Sequence, residues 1–474
     1  MFRRTWALPL AAFAISVAPA PADAQARTAF ANRVCDVTTY GAKATRVFPD
    51  TEAFQRAIDD CAAKGGGTVE VPRGEYLIGP IFLKSNINLH LAAYSELAGT
   101  DDPAAYKVGP ATRAFVTNAD WMALINIADS RNVAITGAGR IDGQGAPWWE
   151  RWRARARREM KGGGTDRPRL VQASRSSDLL FEGIGLYNSP SFHLVVKDSQ
   201  RVTVRNMRFV ALAHSPNTDA IDPIDTRDVL IENNLFDVGD DIVAIKSLKA
   251  DLLHPDAAVE NVVIRGNRGL AGRGICIGSE TIGGIRNILV EDNELRGAMY
   301  GIRIKTPRGR GGLVQDVMFR NNRMIDVETP IVFSAYYESA GYDSEATART
   351  LAGKGGFVLG HQIYPPDSEP PQPVKAGSTP FIRNVRVEGL TATGADRAGL
   401  VIGLPERAIE GISFRDVSIR SRLGLIVRNA QVDARGLRVE SVDGAPLIEE
   451  KGARVLAPRA APRARRRPAQ PNRL

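Results

Sequence analysis

The stretch Gly301-Ile302-Arg303-Ile304-Lys305-Thr306 decides the fold, because it is the clearest of several short strand phrases that return along the chain. Ile302 and Ile304 alternate with Arg303 and Lys305, the period-two pattern of a strand with one face in a core and the other outward. Two earlier phrases have the same form: Gly239-Asp240-Asp241-Ile242-Val243-Ala244-Ile245-Lys246 and Gly272-Arg273-Gly274-Ile275-Cys276-Ile277-Gly278. By the same alternation Ala244, Lys246 and Cys276 point outward with Arg303 and Lys305.

A companion phrase, a polar residue followed by apolar, any, apolar, recurs even more widely. It reads Asn132-Val133-Ala134-Ile135, Asp178-Leu179-Leu180-Phe181, Arg201-Val202-Thr203-Val204, Asp228-Val229-Leu230-Ile231 and Asn261-Val262-Val263-Ile264, and continues through Asn287, Asp316, Asn384 and Gly411. From Leu179 to Val317 the steps are 23, 27, 33, 26 and 29 residues. Units this short, rich in Val and Ile and separated by turn residues, leave no room for a helical crossover. Stacked as coils, each pairs its strands with those of the next unit and buries a continuous apolar column. The chain is therefore all-β, a parallel β-helix. A propeller would need blades of roughly 40 to 45 residues.

Before the coils, Asp50 followed by Thr51-Glu52-Ala53-Phe54, with Phe54, Ile58 and Cys61 on one side, predicts a capped amphipathic helix stopped by Gly65-Gly66-Gly67. It reads as a short N-terminal cap. Gly143 to Ser177, with Trp148, Trp149, Trp152 and an Arg-rich run, breaks the rhythm as a long loop or short helix beside the coils.

The chain has 474 residues, 43% hydrophobic and 24% charged, enough to bury a large core. Its charge of +9 is unevenly placed: the last 24 residues hold eight basic and no acidic side chains, and the first 24 carry +1. The body between them is neutral, which argues against a nucleic-acid partner. Residues 1–24 have the charged, apolar and Ala22-Asp23-Ala24 order of a secretory signal peptide, so a secreted or periplasmic protein is expected. No other window suggests a membrane span. The division is thus 1–24 signal peptide, 25–450 one β-helix domain and 451–474 a solvated, disordered tail. A capped solenoid needs no partner, so a monomer is expected. Of three cysteines, Cys35 and Cys61 flank the cap helix and could form a disulfide in an oxidising compartment, leaving Cys276 free.

The outward residues carry the chemistry. Coils sit about 4.8 Å apart, so Asp219, in Asn217-Thr218-Asp219, falls near Asp240 and Asp241 of the next coil. Crowded carboxylates cannot all ionise normally, and glycoside hydrolysis needs one protonated and one ionised carboxyl. Arg303 and Lys305, with Lys246 beside them, suit an anionic sugar group.

Ser189-Pro190-Ser191-Phe192-His193, Asn217-Thr218-Asp219, Gly239-Asp240-Asp241, Gly278-Ser279 and Arg303-Ile304-Lys305, in this order, resemble the polygalacturonases of glycoside hydrolase family 28. The resemblance runs from about Val34 to Glu440, and Tyr40-Gly41-Ala42 with Gly65-Gly66-Gly67-Thr68-Val69 is similar to the first coils of bacterial members. It implies a right-handed β-helix and inverting hydrolysis of galacturonosyl linkages in pectin without cofactor or metal. Carried over, Asp240 would be the general acid, Asp219 and Asp241 would activate water across a gap of about 6.5–9.5 Å, and Arg303 and Lys305 would hold the substrate carboxylate. Asn217, His193 and Tyr336, in the pair Tyr336-Tyr337, would line the cleft, His214 being a further possibility. Where the family usually has Gly-His-Gly, this chain has Gly272-Arg273-Gly274, so Arg273 would bind a second carboxylate and an exo mode of attack is open. Other readings remain: action on rhamnogalacturonan or another pectic glycan, a calcium-dependent lyase, which fits the aspartates less well, or a non-catalytic uronate-binding β-helix.

Overall fold

The computed structural model describes residues 25–456 apart from 111, 114–120, 160–166, 251–257, 340–343 and 361. Its strands wind into coils with three parallel faces. The first face is a 14-stranded sheet from Val34–Asp36 to Arg454–Leu456. On it the recurring phrases stand in register: Leu179 pairs Val202, then Val229, Val262, Ile288, Val317, Val385 and Ile412 in turn. The second face contains the short strands Gly185–Tyr187, Arg208–Val210 and Leu235–Asp237. The third contains Val171–Ser174, Leu194–Lys197, Ile221–Ile224, Val243–Ser247, Ile275–Thr281 and Tyr300–Lys305. From Thr391–Ile402 onward single long strands bridge the second and third faces. The winding is right-handed, as in the neighbours described below and as parallel crossovers prefer.

The polar residue opening each phrase has a backbone reason. Asn132, Asp178, Arg201, Asp228, Asn261, Asn287, Asp316 and Asn384 all have φ between 52° and 59°, a region that Asn and Asp tolerate best among non-glycine residues. The apolar positions after it fill one core along the whole length.

Asn234, Asn267, Asn293 and Asn322 stack at the corner after the first face. Each Oδ1 of Asn267, Asn293 and Asn322 accepts the backbone N–H and the Nδ2 of the asparagine one coil earlier, at 2.9–3.2 Å. Each Nδ2 also reaches a backbone carbonyl: that of Asn267 donates to the Ile231 carbonyl at 3.0 Å. Replacing Asn267 by Ala strands several buried polar groups at once, so chemical denaturation should show a loss of about 1–3 kcal/mol.

The cap helix α1 (Thr51–Ala63) forms as expected, but its cap differs. Asp50 makes no side-chain bond to the helix. Its carboxylate instead accepts the N–H groups of Lys43 and Ala44 at 2.8 and 3.2 Å, closing the preceding turn. Cys61 of α1 is joined to Cys35 of the first strand, with Cα atoms 6.1 Å apart. The irregular segment holds a 14-residue helix, α2 (Ala146–Glu159), and then rejoins the coils at Val171–Ser174. A second excursion carries α3 (Ser344–Ala352) and a three-stranded antiparallel sheet, Glu338–Ser339, Phe357–Leu359 and Gln362–Tyr364. The ordered chain extends into the segment read as a tail, because Arg454–Leu456 pairs with Ala430–Asp433. The signal-like residues 1–24 and the tail after Leu456 lie outside the described residues.

Candidate active site

The third face and the corner before it build a polar wall. Val171, Leu194, Ile221, Val243, Ile275 and Ile302 pair successively on adjacent coils. Two residues ahead of each stand Arg169, Phe192, Asp219, Asp241, Arg273 and Tyr300. Just beyond, outward from the strands, come Asp222, Ala244, Cys276 and Arg303, followed by Lys246 and Lys305. The strand alternation thus places the sequence-selected cations as expected, and Ile302 and Ile304 lie in the core.

Asp219, Asp240 and Asp241 converge: one carboxylate oxygen from each lies within 4.8 Å of the others. This is narrower than the gap expected from the sequence. Asp219 lies about one strand spacing from the coil of Asp240 and Asp241, and the three side chains turn toward one another. The side chain of Asp240 is the most exposed of the three, at 12% against 6% and 3%.

Each carboxylate has its own cation. Lys305 Nζ is 2.5 Å from Asp241, Lys246 Nζ is 3.4 Å from Asp219, and Arg273 Nη1 is 3.4 Å from Asp240. Lys246 also pairs with Asp222, which is wholly buried. Burial alone would raise the Asp241 carboxyl, but Lys305 and Arg303 outweigh it and hold the group below its usual range. Asp219 goes the other way: burial, with Asp222 beside it, pushes its carboxyl well up. Burial works against the charge of Arg273, and Asp240 and Asp241 outweigh it, so the guanidinium is held more firmly protonated. The thiol of Cys276 donates to Asp241 Oδ1 at 3.2 Å.

Arg303 is 3% exposed and forms no ion pair among the described residues. Its guanidinium lies 4.0 Å from the centre of the Tyr300 ring and 5.6 Å from that of Tyr337, and its Nε has no hydrogen-bond partner. Asp241 favours its charge from a distance, but the guanidinium has no direct ion pair among the described residues, and a buried cation in that position is well placed to take an anion.

Three residues proposed as cleft lining have other roles. His193 is fully buried, and its Nδ1 lies 3.1 Å from the Asp219 carbonyl while its backbone N–H donates to the same oxygen at 2.9 Å. Burial lowers this imidazole to about 4, so it positions the Asp219 turn as a neutral ring. Tyr336 is turned away, packed with Tyr364 and Leu400, and its hydroxyl donates to Glu369. The cleft position goes to Tyr337, which lies beyond the end of the Thr329–Ser334 strand and has its ring 5.1 Å from Lys305 Nζ. Asn217 stands at the corner, but its Oδ1 is taken by Arg167 Nη2 at 2.8 Å. His214 is exposed, and its carbonyl accepts from Arg153 of α2 at 3.2 Å.

Three contributors escaped the sequence reading. Asp222 could have been found by counting one outward position beyond Ile221. Arg167 and Arg169 come from the segment after α2 and carry no local signal. Arg167 donates to the carbonyls of Pro190 and Pro216, both at 2.7 Å, and burial lowers it to about 10.

A parallel β-helix presenting paired acidic and ionised carboxyls among excess cations is the scaffold of a glycoside hydrolase. The sequence profile of glycosyl hydrolases family 28 matches residues 61–351. The chain belongs to that family, and it is an enzyme of O-glycosyl bond hydrolysis. An endo-polygalacturonase of Pectobacterium carotovorum subsp. carotovorum is 31% identical over 301 residues, covering 61% of this chain and 72% of the relative. The solved exopolygalacturonase of Thermotoga maritima superposes with a TM-score of 0.69 at 27% identity, over 90% of this chain and 94% of that one. A family 28 exopolygalacturonase of Yersinia enterocolitica shares the fold, with TM-score 0.69 and 19% identity over 91% and 79%. Among the described residues no helix is long and apolar enough to cross a membrane.

Proposed function

We propose that this enzyme hydrolyses galacturonosyl linkages of pectin by direct attack of water, working from a chain end. The observation that carries the substrate class is Arg303, a buried guanidinium without an acidic partner among the described residues, beside Lys305 and Tyr337. A uronate carboxylate supplies the direct ion pair that Arg303 lacks. The polygalacturonase relatives support the same class.

Water, rather than a carboxylate, is the nucleophile in this reading. Asp219 and Asp241 are each held by an ammonium, so their oxygens can orient a water and are poorly placed to form a bond to carbon. Asp241, kept ionised by Lys305, is the base. Asp240, nearest the cleft mouth, delivers the proton to the leaving oxygen, and Asp219 shares that proton with it across the short gap. Chain-end attack is favoured by the two excursions that flank the cleft. On one side α2 rests on the Ser189 carbonyl through Trp149 Nε1 at 3.1 Å. On the other, Leu359 accepts from the Tyr300 hydroxyl at 3.2 Å.

Proton NMR of the reaction with polygalacturonate tests both points. Monogalacturonate or another single short product, appearing first as the inverted anomer, is the expected result. A retained anomer would overturn the water mechanism, and a ladder of long oligomers would overturn chain-end attack.

The same reading includes export to the periplasm or medium and action as a monomer. The signal-like order of residues 1–24 and the Cys35–Cys61 bridge support the first. The N-terminal cap over the solenoid supports the second.

A further inference from the structure

Arg303 and Lys305 lie on the C-terminal side of the aspartates along the β-helix axis. The opposite side also has a cation and an aromatic ring. Arg169 stands two coils before Asp219, about 10 Å along the axis at the usual strand spacing. It is only partly exposed, its Nη1 donates to Gln172 Oε1 at 2.6 Å, and it forms no ion pair among the described residues. Its guanidinium lies 5.7 Å from the ring centre of half-buried Phe192, and Lys246 Nζ lies 4.5 Å from the same ring. Phe192 sits between Arg169 and Asp219 in the same row, so the ring adjoins the reacting carboxylates on one side and the cation on the other.

We propose that Arg169 and Phe192 form a second uronate-binding subsite, on the far side of the scissile bond from Arg303 and Lys305. The ring offers a flat apolar surface for a sugar face, and the guanidinium pairs with that sugar's carboxylate. The inference rests on the galacturonan reading and sharpens it: both sugars flanking the cleaved bond are acidic. A glycan in which uronates alternate with neutral sugars can satisfy only one of the two sites, so the enzyme selects homogalacturonan over rhamnogalacturonan-type chains.

The geometry shows why this is more than charge balance. Asp219 and Asp222 take their direct ion pair from Lys246, and Arg169 acts on them only from a distance. Its Nη1 is directed to a neutral amide, and a guanidinium has further donors in the same plane.

The test is calorimetric binding of trigalacturonate, and of an alternating galacturonate–rhamnose oligomer, to full-length protein carrying Asp240→Asn to prevent turnover. Adding Arg169→Gln should weaken trigalacturonate about 10- to 100-fold, as for loss of a charged hydrogen bond, and leave the alternating oligomer within about twofold. Arg169→Lys should recover part of the affinity, and Phe192→Leu should weaken trigalacturonate in the same selective way. In the otherwise wild-type enzyme, Arg169→Gln should raise KM far more than it lowers kcat. An unchanged trigalacturonate Kd with Arg169→Gln, or equal weakening of both oligomers, would overturn the subsite while leaving the galacturonan reading intact. Failure of the Asp240→Asn protein itself to bind trigalacturonate would overturn that reading, and this one with it.

Discussion

Asp240→Asn is expected to lower kcat on polygalacturonate by about 10²–10⁴, the usual worth of a positioned general acid. The loss should largely vanish on a galacturonide with an aryl leaving group acidic enough to depart without a proton. Asp241→Asn should lose at least as much and should show no such rescue, because water activation is needed for either substrate. Asp219→Asn is the discriminating variant. Burial and Asp222 push the Asp219 carboxyl well up, whereas Asp240 accepts the Asp241 N–H at 3.0 Å and faces Arg273. If the proton belongs to the Asp219–Asp240 pair, both variants should be rescued in part. Rescue of Asp219→Asn alone would move the acid role to Asp219 and leave Asp240 as a partner of Arg273. The readout is the ratio of kcat on the two substrates, with unfolding midpoints measured alongside.

The coil architecture was legible because its signal is periodic and local. Val and Ile two apart, behind an Asn or Asp in the left-handed region, repeat in nearly every turn, and the same spacing set the register that brings Asp219 to Asp240 and Asp241. Outward positions on regular strands followed from alternation, so Arg303, Lys305 and Lys246 were recoverable. What failed lies where alternation stops. Tyr336 and Tyr337 follow the end of the Thr329–Ser334 strand, and the choice between them turns on where that strand ends. His193 is adjacent to the cleft in sequence but points inward from the corner. Arg167 and Arg169 are about 50 residues from Asn217 and Asp219 in sequence, and only the path of the chain after α2 brings them back. The short carboxylate gap departs most from expectation, because the spacing of the two coils is set by backbone hydrogen bonds and not by the separation usual between glycosidase carboxyls.

Lys305→Met isolates the electrostatic design of the base. Lys305 and Asp241 are 5% and 3% exposed and 2.5 Å apart, so neither is well screened by solvent. With the ammonium gone, burial dominates at Asp241 and its carboxyl rises, as an opposite charge at this range typically shifts a carboxyl by about 1–3 units. The acid limb of the kcat profile should therefore move up by about that amount, with activity lost first at low pH and partly kept at high pH. Stability follows the same sign. A carboxyl held below its unfolded value stabilises the fold above that value, and the contribution disappears as pH falls through the folded one. In Lys305→Met it is absent throughout, and an unpaired buried carboxylate costs about 3–5 kcal/mol near neutral pH. The variant's deficit against wild type should therefore shrink as the medium is acidified and Asp241 takes up a proton. A deficit that is constant with pH, together with an unmoved acid limb, would mean that Lys305 acts only by packing, and that Arg303 alone keeps the base ionised.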